Sequence, residues 1–325
     1  MVLSSEDIRK HTSDTINSFK NFFSVMGYIE HTPVGINSKI DESVYFVGST
    51  ISVFKKYILT NTIPLNGYYL SQRCIRTQNI NLLYKDEIPN WASYFTAIGT
   101  ISRYDKLEDV SHHIWHYLNR ILNIKNNDIL VKVSSKDDDL LKIWNSLENG
   151  PIIEVDYEDI NYYRHKYGHK ELSGRNINFA LRQENNVFKD IGNLIVIMNN
   201  ETDNIGVELA FGVGTLIARK YSLTHPIEAS LISVVLPYKD GSICKFSDSL
   251  SAVVHLIREK VRPSASNTRG RVLRSYLKGI NYWKDILHFT INNINEFAVI
   301  YEYEEYGNNT GVGEIIVQYL VQYNT

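Results

Sequence analysis

From residue 4 to 27 apolar side chains mostly recur at spacings of three and four: Ile8, Ile16, Phe19, Phe22, Phe23, Met26. That period predicts an amphipathic helix. Ser4 and Asp7 stand at capping-box spacing, with Asp in place of the usual Glu, and Gly27 is a natural stop. Shorter apolar runs then alternate with polar stretches. Residues 44–48 predict a short strand and 51–58 a helix. Residues 67–75 predict a strand ending at Arg76, 79–90 an Asn-rich loop, and 91–102 a returning strand. Helices are predicted at 106–122, 137–147, 214–221, 250–262 and 269–285. Strands are predicted at 129–134, 152–155, 176–181, 191–199 and 206–211, with 223–247 mixed and punctuated by Pro226, Pro237 and Gly241. The tail is rich in Val, Ile and Tyr at 297–306 and 312–323, around Gly307-Asn308-Asn309-Thr310-Gly311, which predicts a β-hairpin. Strands and helices without regular βαβ alternation predict an α+β architecture.

Composition narrows the function classes. A 325-residue chain with net charge −2 suits about two domains and excludes a strongly basic nucleic-acid coat. Cys74 and Cys244 are the only cysteines, so neither a disulfide framework nor a zinc cluster is expected, in keeping with a cytoplasmic protein. Cys74 lies inside a predicted strand and reads as a small buried hydrophobe. Residues 1–10 lack an apolar signal region, and no run approaches the roughly 18 apolar residues of a membrane helix, so no membrane partner is expected. His112, His113 and His116 share a predicted helix without a carboxylate-flanked metal motif and read as an ordinary surface helix. No metal site is expected.

At Leu70-Ser71-Gln72-Arg73-Cys74-Ile75-Arg76 the chain resembles motif 2 of alanyl-tRNA synthetases, a class II family with a Ser-Gln-Arg-Cys-Val-Arg string. Residues 42–57 are similar to the family's Pro-Thr-Leu-Leu-Phe … Phe-Lys-Asp-Val segment. Residues 94–99 are similar to its Phe-Phe-Glu-Met-Leu-Gly strand, and Asp137-Asp138-Asp139 through Ile143-Trp144 to its Asp-Asp-Glu … Ile-Trp helix. Residues 263–274 resemble the string that opens the family's tRNA-recognition domain. These strings span about residues 5–285 in the family's order, without its editing and oligomerisation domains. The resemblance implies an antiparallel sheet flanked by helices over 1–224. Over 225–325 it implies a small helical tRNA-recognition-like region, to which the pattern adds the C-terminal hairpin. It implies ATP-dependent activation of a small amino acid and transfer to tRNA, and it allows a homodimer, although the motif 1 segment lacks a clear Pro anchor.

The implied site mixes retained and altered residues. Arg76 falls on the motif 2 arginine, which implies contact with the α-phosphate and the amino-acid carboxylate; a planar guanidinium suits both, although a structural ion pair would also use an arginine. Arg73 reads as structural. Asn193 keeps the asparagine of the amino-acid pocket. The motif 2 loop lysine becomes Ile80, the glutamate of the Phe-Glu-Met strand becomes Thr96, and a glutamate implied to hold Mg²⁺–ATP becomes Asn178. Motif 3 reads Ala210-Phe211-Gly212-Val213-Gly214-Thr215-Leu216-Ile217, so its ammonium-binding aspartate is Ala210 and its γ-phosphate arginine is Ile217. Glu208 shares a strand face with Ala210 and can supply a carboxylate one layer away. Arg219 lies about 200° around a helix from Ile217 and cannot simply substitute. Gly212 and Gly214 complete the implied amino-acid and ATP site. Arg269, Arg271, Arg274 and Lys278 belong to a basic stretch whose family counterpart faces the tRNA acceptor stem.

Two readings follow. In the first, the chain is a repurposed enzyme that binds a small amino acid or aminoacyl group, with ATP and Mg²⁺ or as an adenylate, and transfers it to tRNA, a carrier or a small molecule. In the second, it is a non-catalytic paralogue serving as a regulatory, tRNA-binding or partner-binding module. The altered motif 3 and missing editing domain oppose a housekeeping alanyl-tRNA synthetase.

Overall fold

A computed structural model describes residues 3–200 and 202–324; residues 1 and 2, at the start of the segment inspected for a signal region, lie outside them. Helix α1 (Ser5–Val25) starts at the expected capping box, Ser4 accepting from the Asp7 N–H at 3.1 Å and Asp7 accepting from the Ser4 N–H at 3.1 Å. After β1 (Ile29–Glu30) come α2 (Ile51–Leu59), β2 (Tyr68–Ile75), β3 (Tyr94–Arg103) and α3 (Leu107–His116). Then follow β4 (Ile129–Ser134), α4 (Asp138–Asn145), β5 (Ile152–Asp156) and β6 (Arg164–Lys166). The last strands are β7 (Leu172–Arg182), β8 (Phe188–Asn199) and β9 (Asp203–Gly212). The remaining helices are α5 (Val213–Lys220), α6 (Ile232–Val235), α7 (Gly241–Arg258), α8 (Thr268–Ile286), α9 (Ile291–Tyr306) and α10 (Val312–Asn324).

The strands make one sheet in the order β1-β2-β3-β9-β8-β7-β4-β5, with β6 paired to β7; only the β1–β2 and β4–β5 ladders are parallel. This is the expected α+β arrangement, a mostly antiparallel sheet flanked by helices.

Alternation sorts the sheet into two faces. Ile98, Ile177, Phe179, Leu194, Val196, Val207, Leu209 and Phe211 point to the main core, with Phe19 and Phe23 of α1, Ile114 of α3 and Leu216 of α5. Leu70, Cys74, Ala97, Ile101, Ile195 and Ile197 point the other way, into a smaller cluster with Val53, Phe54 and Ile58 of α2. A cavity opens on this second face.

Three expectations need correction. Residues 44–48 form no strand: Val47 makes isolated backbone contacts, its N–H to Ile36 O at 3.0 Å and its O from Ile75 N at 2.9 Å, too few for a ladder. The helix expected from 250 begins at Gly241, because Asp240 caps the Ser242 and Ile243 N–H groups at 2.8 and 3.0 Å. The tail is a helix pair, not a β-hairpin. Ile294, Ala298 and Tyr301 are buried on one side of α9, and Val312, Ile316 and Leu320 on one side of α10. Thr290 caps α9 through the Asn293 N–H at 3.1 Å, and Gly307, at φ +70°, ends it in the left-handed conformation. The expected hairpin turn is therefore a helix stop.

Candidate active site

The β-pairing register builds the site on the second face. Asn178, Asn193, Ala210 and Gly99 stand side by side across β7, β8, β9 and β3. Asn176, Ile195, Glu208 and Ile101 form the adjoining row, and Gly212 pairs with Ala97 beyond the first. Arg76, two residues beyond Cys74, continues this face at the end of β2. A cavity of about 1190 Å³ lies over these rows. Arg76, Thr96, Asn178, Asn193, Glu208, Gly212 and Gly214 all border it, so the fold brings together the residues that the motifs singled out. Thr96 is the exception in orientation: it pairs with Arg73, putting its Cβ on the opposite face, and it borders a second cavity of about 390 Å³ there. Phe95 occupies the site face instead.

The Arg76 guanidinium lies 4.8 Å from the centre of the Phe95 ring and 5.6 Å from that of Trp91. No carboxylate among the described residues comes within ion-pair distance of it. Burial presses its pKa below the usual arginine value, against the pull of Cys74 and Glu208. An unpaired guanidinium at a cavity wall is ready to take a ligand anion. Its backbone is fixed independently of its side chain. The Arg76 N–H donates to Ser93 O at 2.8 Å, and the Tyr276 hydroxyl donates to Arg76 O at 3.1 Å. Ser93 is held in turn by buried Asp248, which accepts from its N–H and its hydroxyl, both at 2.6 Å, and from Asn79 at 3.0 Å. Removing this acceptor strands three buried donors. Asp248→Ala is expected to lower the urea midpoint by the equivalent of about 3 kcal/mol without changing the m-value. A shift below about 1 kcal/mol would mean that the network carries little.

Glu208 is 2% exposed, and burial pushes its carboxyl up to about 8. Thr50 donates its hydroxyl to the carboxylate at 3.0 Å, and the Ile51 N–H, the Thr50 donation and the Arg76 charge all pull the value back down. Glu208 therefore closes the start of α2. Gly99 permits that contact: a Cβ there would meet Thr50 Oγ1 at 2.8 Å and Leu209 O at 2.3 Å.

The altered positions have found other work. Ile217 is buried in the main core on α5, and half-buried Ile80 packs against that core. Arg219 points to main-chain carbonyls of Asn90, Leu223 and Thr224 at 3.3–3.5 Å, not to the cavity. Asn178 accepts from the Asn176 amide at 3.0 Å. Of the basic stretch, Arg269 holds the 38–46 segment through Tyr45 O at 2.7 Å and Ser38 O at 3.2 Å. Arg274 donates to the Tyr319 hydroxyl at 3.1 Å, Lys278 is half-buried, and Arg271 is exposed. His113 and His116 pack against Phe22.

The sequence reading missed Lys55, Tyr167 and His165, which also border the cavity. Lys55 is 6% exposed and donates to both Asp41 carboxylate oxygens at 3.0 and 3.1 Å and to Tyr167 O at 2.5 Å. It falls between Ile51 and Ile58 on a helical stripe. A lysine on an apolar stripe signals a buried partner, and that signal was available in the sequence.

Magnesium suits this donor set poorly. It prefers carboxylate and phosphate oxygens in an octahedral shell. Here Asp41 is tied to Lys55, Glu208 closes α2, Asp190 contacts Lys132 and Tyr162, and the position of the implied metal ligand is the amide Asn178. No group of three or more His, Cys, Asp or Glu among the described residues is placed to hold a metal. No helix of the described residues is long and apolar enough to cross a membrane.

The sequence model of a family described as tRNA synthetases class II (A) matches residues 15–209. Among solved structures, asparaginyl-tRNA synthetase from Pyrococcus horikoshii complexed with asparaginyl-adenylate is 11% identical, with a TM-score of 0.42 over 70% of this chain and 68% of that one. The Entamoeba histolytica asparaginyl-tRNA synthetase, also in complex with asparaginyl-adenylate, is 9% identical, with a TM-score of 0.45 over 70% of this chain and 66% of that one.

Proposed function

The chain belongs to the class II (A) family of tRNA synthetases, and from that membership we propose that its cavity is an aminoacyl-adenylate site that activates a small amino acid and passes it on. The observation that carries this reading is Arg76, a cation without a carboxylate partner among the described residues, close to two aromatic rings on the wall of the cavity. Its fork suits an α-phosphate or a carboxylate. Half-buried Asn193 borders the same cavity, which supports a contact with the amino acid. Two steps follow: adenylyl transfer, in which the amino-acid carboxylate oxygen attacks the ATP α-phosphorus and pyrophosphate leaves, and then acyl transfer, in which an acceptor nucleophile attacks the acyl carbon, loses its proton and releases AMP. Arg76 lowers the barrier by spreading phosphate charge. The acceptor is of the class of tRNA, a carrier or a small molecule, and exposed Arg271 is the α8 cation best placed for phosphate contact. No step is assigned to a protein-held magnesium ion.

A second reading, a binding module without catalysis, is supported by the commitment of Glu208, Ile217 and Asn178 to internal contacts. Amino-acid-dependent ATP–pyrophosphate exchange across the standard amino acids tests the choice. Exchange with one amino acid is the expected result. Silence across the panel, with retained binding of aminoacyl-sulfamoyl adenosine analogues, selects the module. Silence with no binding removes both.

A further inference from the structure

Four carboxylates border the cavity among the described residues: Asp41, Asp190, Glu208 and Glu305. Asp41 is bound to Lys55, Asp190 to Lys132 and Tyr162, and Glu208 to Thr50. Glu305, on the tail helix α9, is the least committed of the four. Its side chain is 19% exposed, and His255 Nε2 lies 3.5 Å from its Oε1. That contact is not an ion pair. Burial lowers the His255 pKa and keeps the ring neutral, with its nitrogens on the Tyr306 and Tyr301 hydroxyls at 2.6 and 2.9 Å. Arg73 and Arg9 attract the Glu305 carboxylate from beyond ion-pair distance.

Neighbouring contacts locate Glu305 in the cavity. Arg9 of α1 is tied to the adjacent Glu304 at 2.7 Å, and Arg9, Thr12 and Ser13 line the same cavity. The His255 ring stacks on that of Tyr94, with centroids 3.3 Å apart. Tyr94 also stands in the cavity wall and precedes Phe95, whose ring is 4.8 Å from the Arg76 guanidinium. The cavity therefore continues past Arg76 and the start of β3 to an end formed by α1 and α9. Its volume of about 1190 Å³ exceeds the roughly 300–1,000 Å³ of a pocket for one small ligand, which leaves room for an acceptor beside the adenylate. The cation at this end, Arg9, is already matched by Glu304. A nucleic-acid phosphate would meet the Glu305 carboxylate there, whereas an ammonium would find a charge-assisted partner.

We propose that the α1–α9 end of the cavity receives the acyl acceptor and that Glu305 selects a small molecule presenting a primary amine, so that the transfer forms an amide. The inference rests on the reading of the cavity as an aminoacyl site. The acceptor ammonium pairs with Glu305 and gives it one proton. The freed nitrogen lone pair attacks the acyl carbon, the bond from that carbon to the adenylate oxygen breaks, AMP leaves, and the second nitrogen proton passes to solvent. Burial raises the Glu305 pKa above the ordinary glutamate value, which suits a carboxylate that must take up a proton.

The test is AMP release by the full chain with ATP and the amino acid that supports pyrophosphate exchange, in the presence of ammonium chloride, ethanolamine, putrescine, glycinamide, ethylene glycol or total tRNA. At least one amine is expected to raise AMP release at least tenfold and to yield the amide, while ethylene glycol and tRNA do not. In Glu305→Gln the amine-stimulated rate should fall at least tenfold more than pyrophosphate exchange does. Glu305→Asp keeps the charge with a shorter reach and should recover part of that rate. Should Glu305→Gln not fold, a fall in amine-stimulated rate relative to exchange in Glu305→Asp supports the same assignment. Stimulation by tRNA or the diol alone, by nothing in the panel, or by amines with the two rates falling equally in the variants overturns the acceptor end and leaves the aminoacyl reading standing. Absence of exchange with every amino acid and of binding to every aminoacyl-sulfamoyl adenosine analogue removes both.

Discussion

Arg76→Ala lowers affinity for an aminoacyl-sulfamoyl adenosine analogue roughly 10- to 150-fold, the equivalent of a charged hydrogen-bonded contact worth about 1.5–3 kcal/mol. On the proposed reading, pyrophosphate exchange is expected to fall further, by about 100- to 1000-fold, because a phosphate charge met by Arg76 would be largest in the transition state. The fold should not suffer. The guanidinium has no ion pair to lose among the described residues, and burial already works against its charge. Its loop is held by Ser93, Tyr276 and Asp248 through the backbone, and the substitution leaves those bonds in place. The urea midpoint is therefore expected to fall by no more than about 2 kcal/mol, the scale of its contacts with the Phe95 and Trp91 rings. Arg76→Lys separates charge from shape: an ammonium keeps the point charge and loses the planar fork, so recovery should be partial. Full affinity in Arg76→Ala would remove Arg76 from the site. A large loss of stability would return it to a structural role.

The sequence carried much of this molecule because its strong patterns and its tertiary structure agree. The α1 capping box and the 129–134 strand form where local chemistry places them. The cavity residues came from motifs whose strands are adjacent in the sheet, so linear strings became one surface. The tail misled because Val, Ile and Tyr favour strands, while burial of Ile294, Ala298 and Tyr301 at helical spacing decided the outcome. Thr290 and Gly307 marked the ends of that helix in the sequence and outweigh composition. Other features have no linear trace. The Asp41–Lys55 pair spans a loop, and the proximity of Tyr167 to Gly174 depends on the β6–β7 pairing. The opposite orientation of Thr96 follows from strand parity once the register is known.

Glu208 makes the pH dependence of stability a probe of the site. Its carboxyl is raised from an ordinary 4.5 to about 8, so folding favours the protonated form. The resulting stabilisation is complete below about pH 4.5 and is lost as pH rises through about 8. At about 1.4 kcal/mol per pH unit the swing amounts to several kcal/mol. Glu208→Gln keeps an acceptor for the Thr50 hydroxyl and removes the titration. It should therefore melt well above the wild type at pH 8.5 and lose that advantage at pH 5. Equal pH profiles would overturn the raised value. Ligand binding then separates two roles for the carboxylate. If Glu208 receives the substrate ammonium, the bound cation draws out its proton. Calorimetry at pH 7 in buffers of different ionisation enthalpy would register proton release, which Glu208→Gln abolishes along with part of the affinity. If Glu208 only closes the start of α2, binding is proton-neutral in both proteins and Glu208→Gln retains wild-type affinity. The ammonium must then be held by other groups that border the cavity, Asn193 among them. An aminoacyl site that keeps Arg76 but binds the amine without a carboxylate favours acyl groups already joined to adenylate, whose phosphate supplies the anchor that a free amino acid lacks.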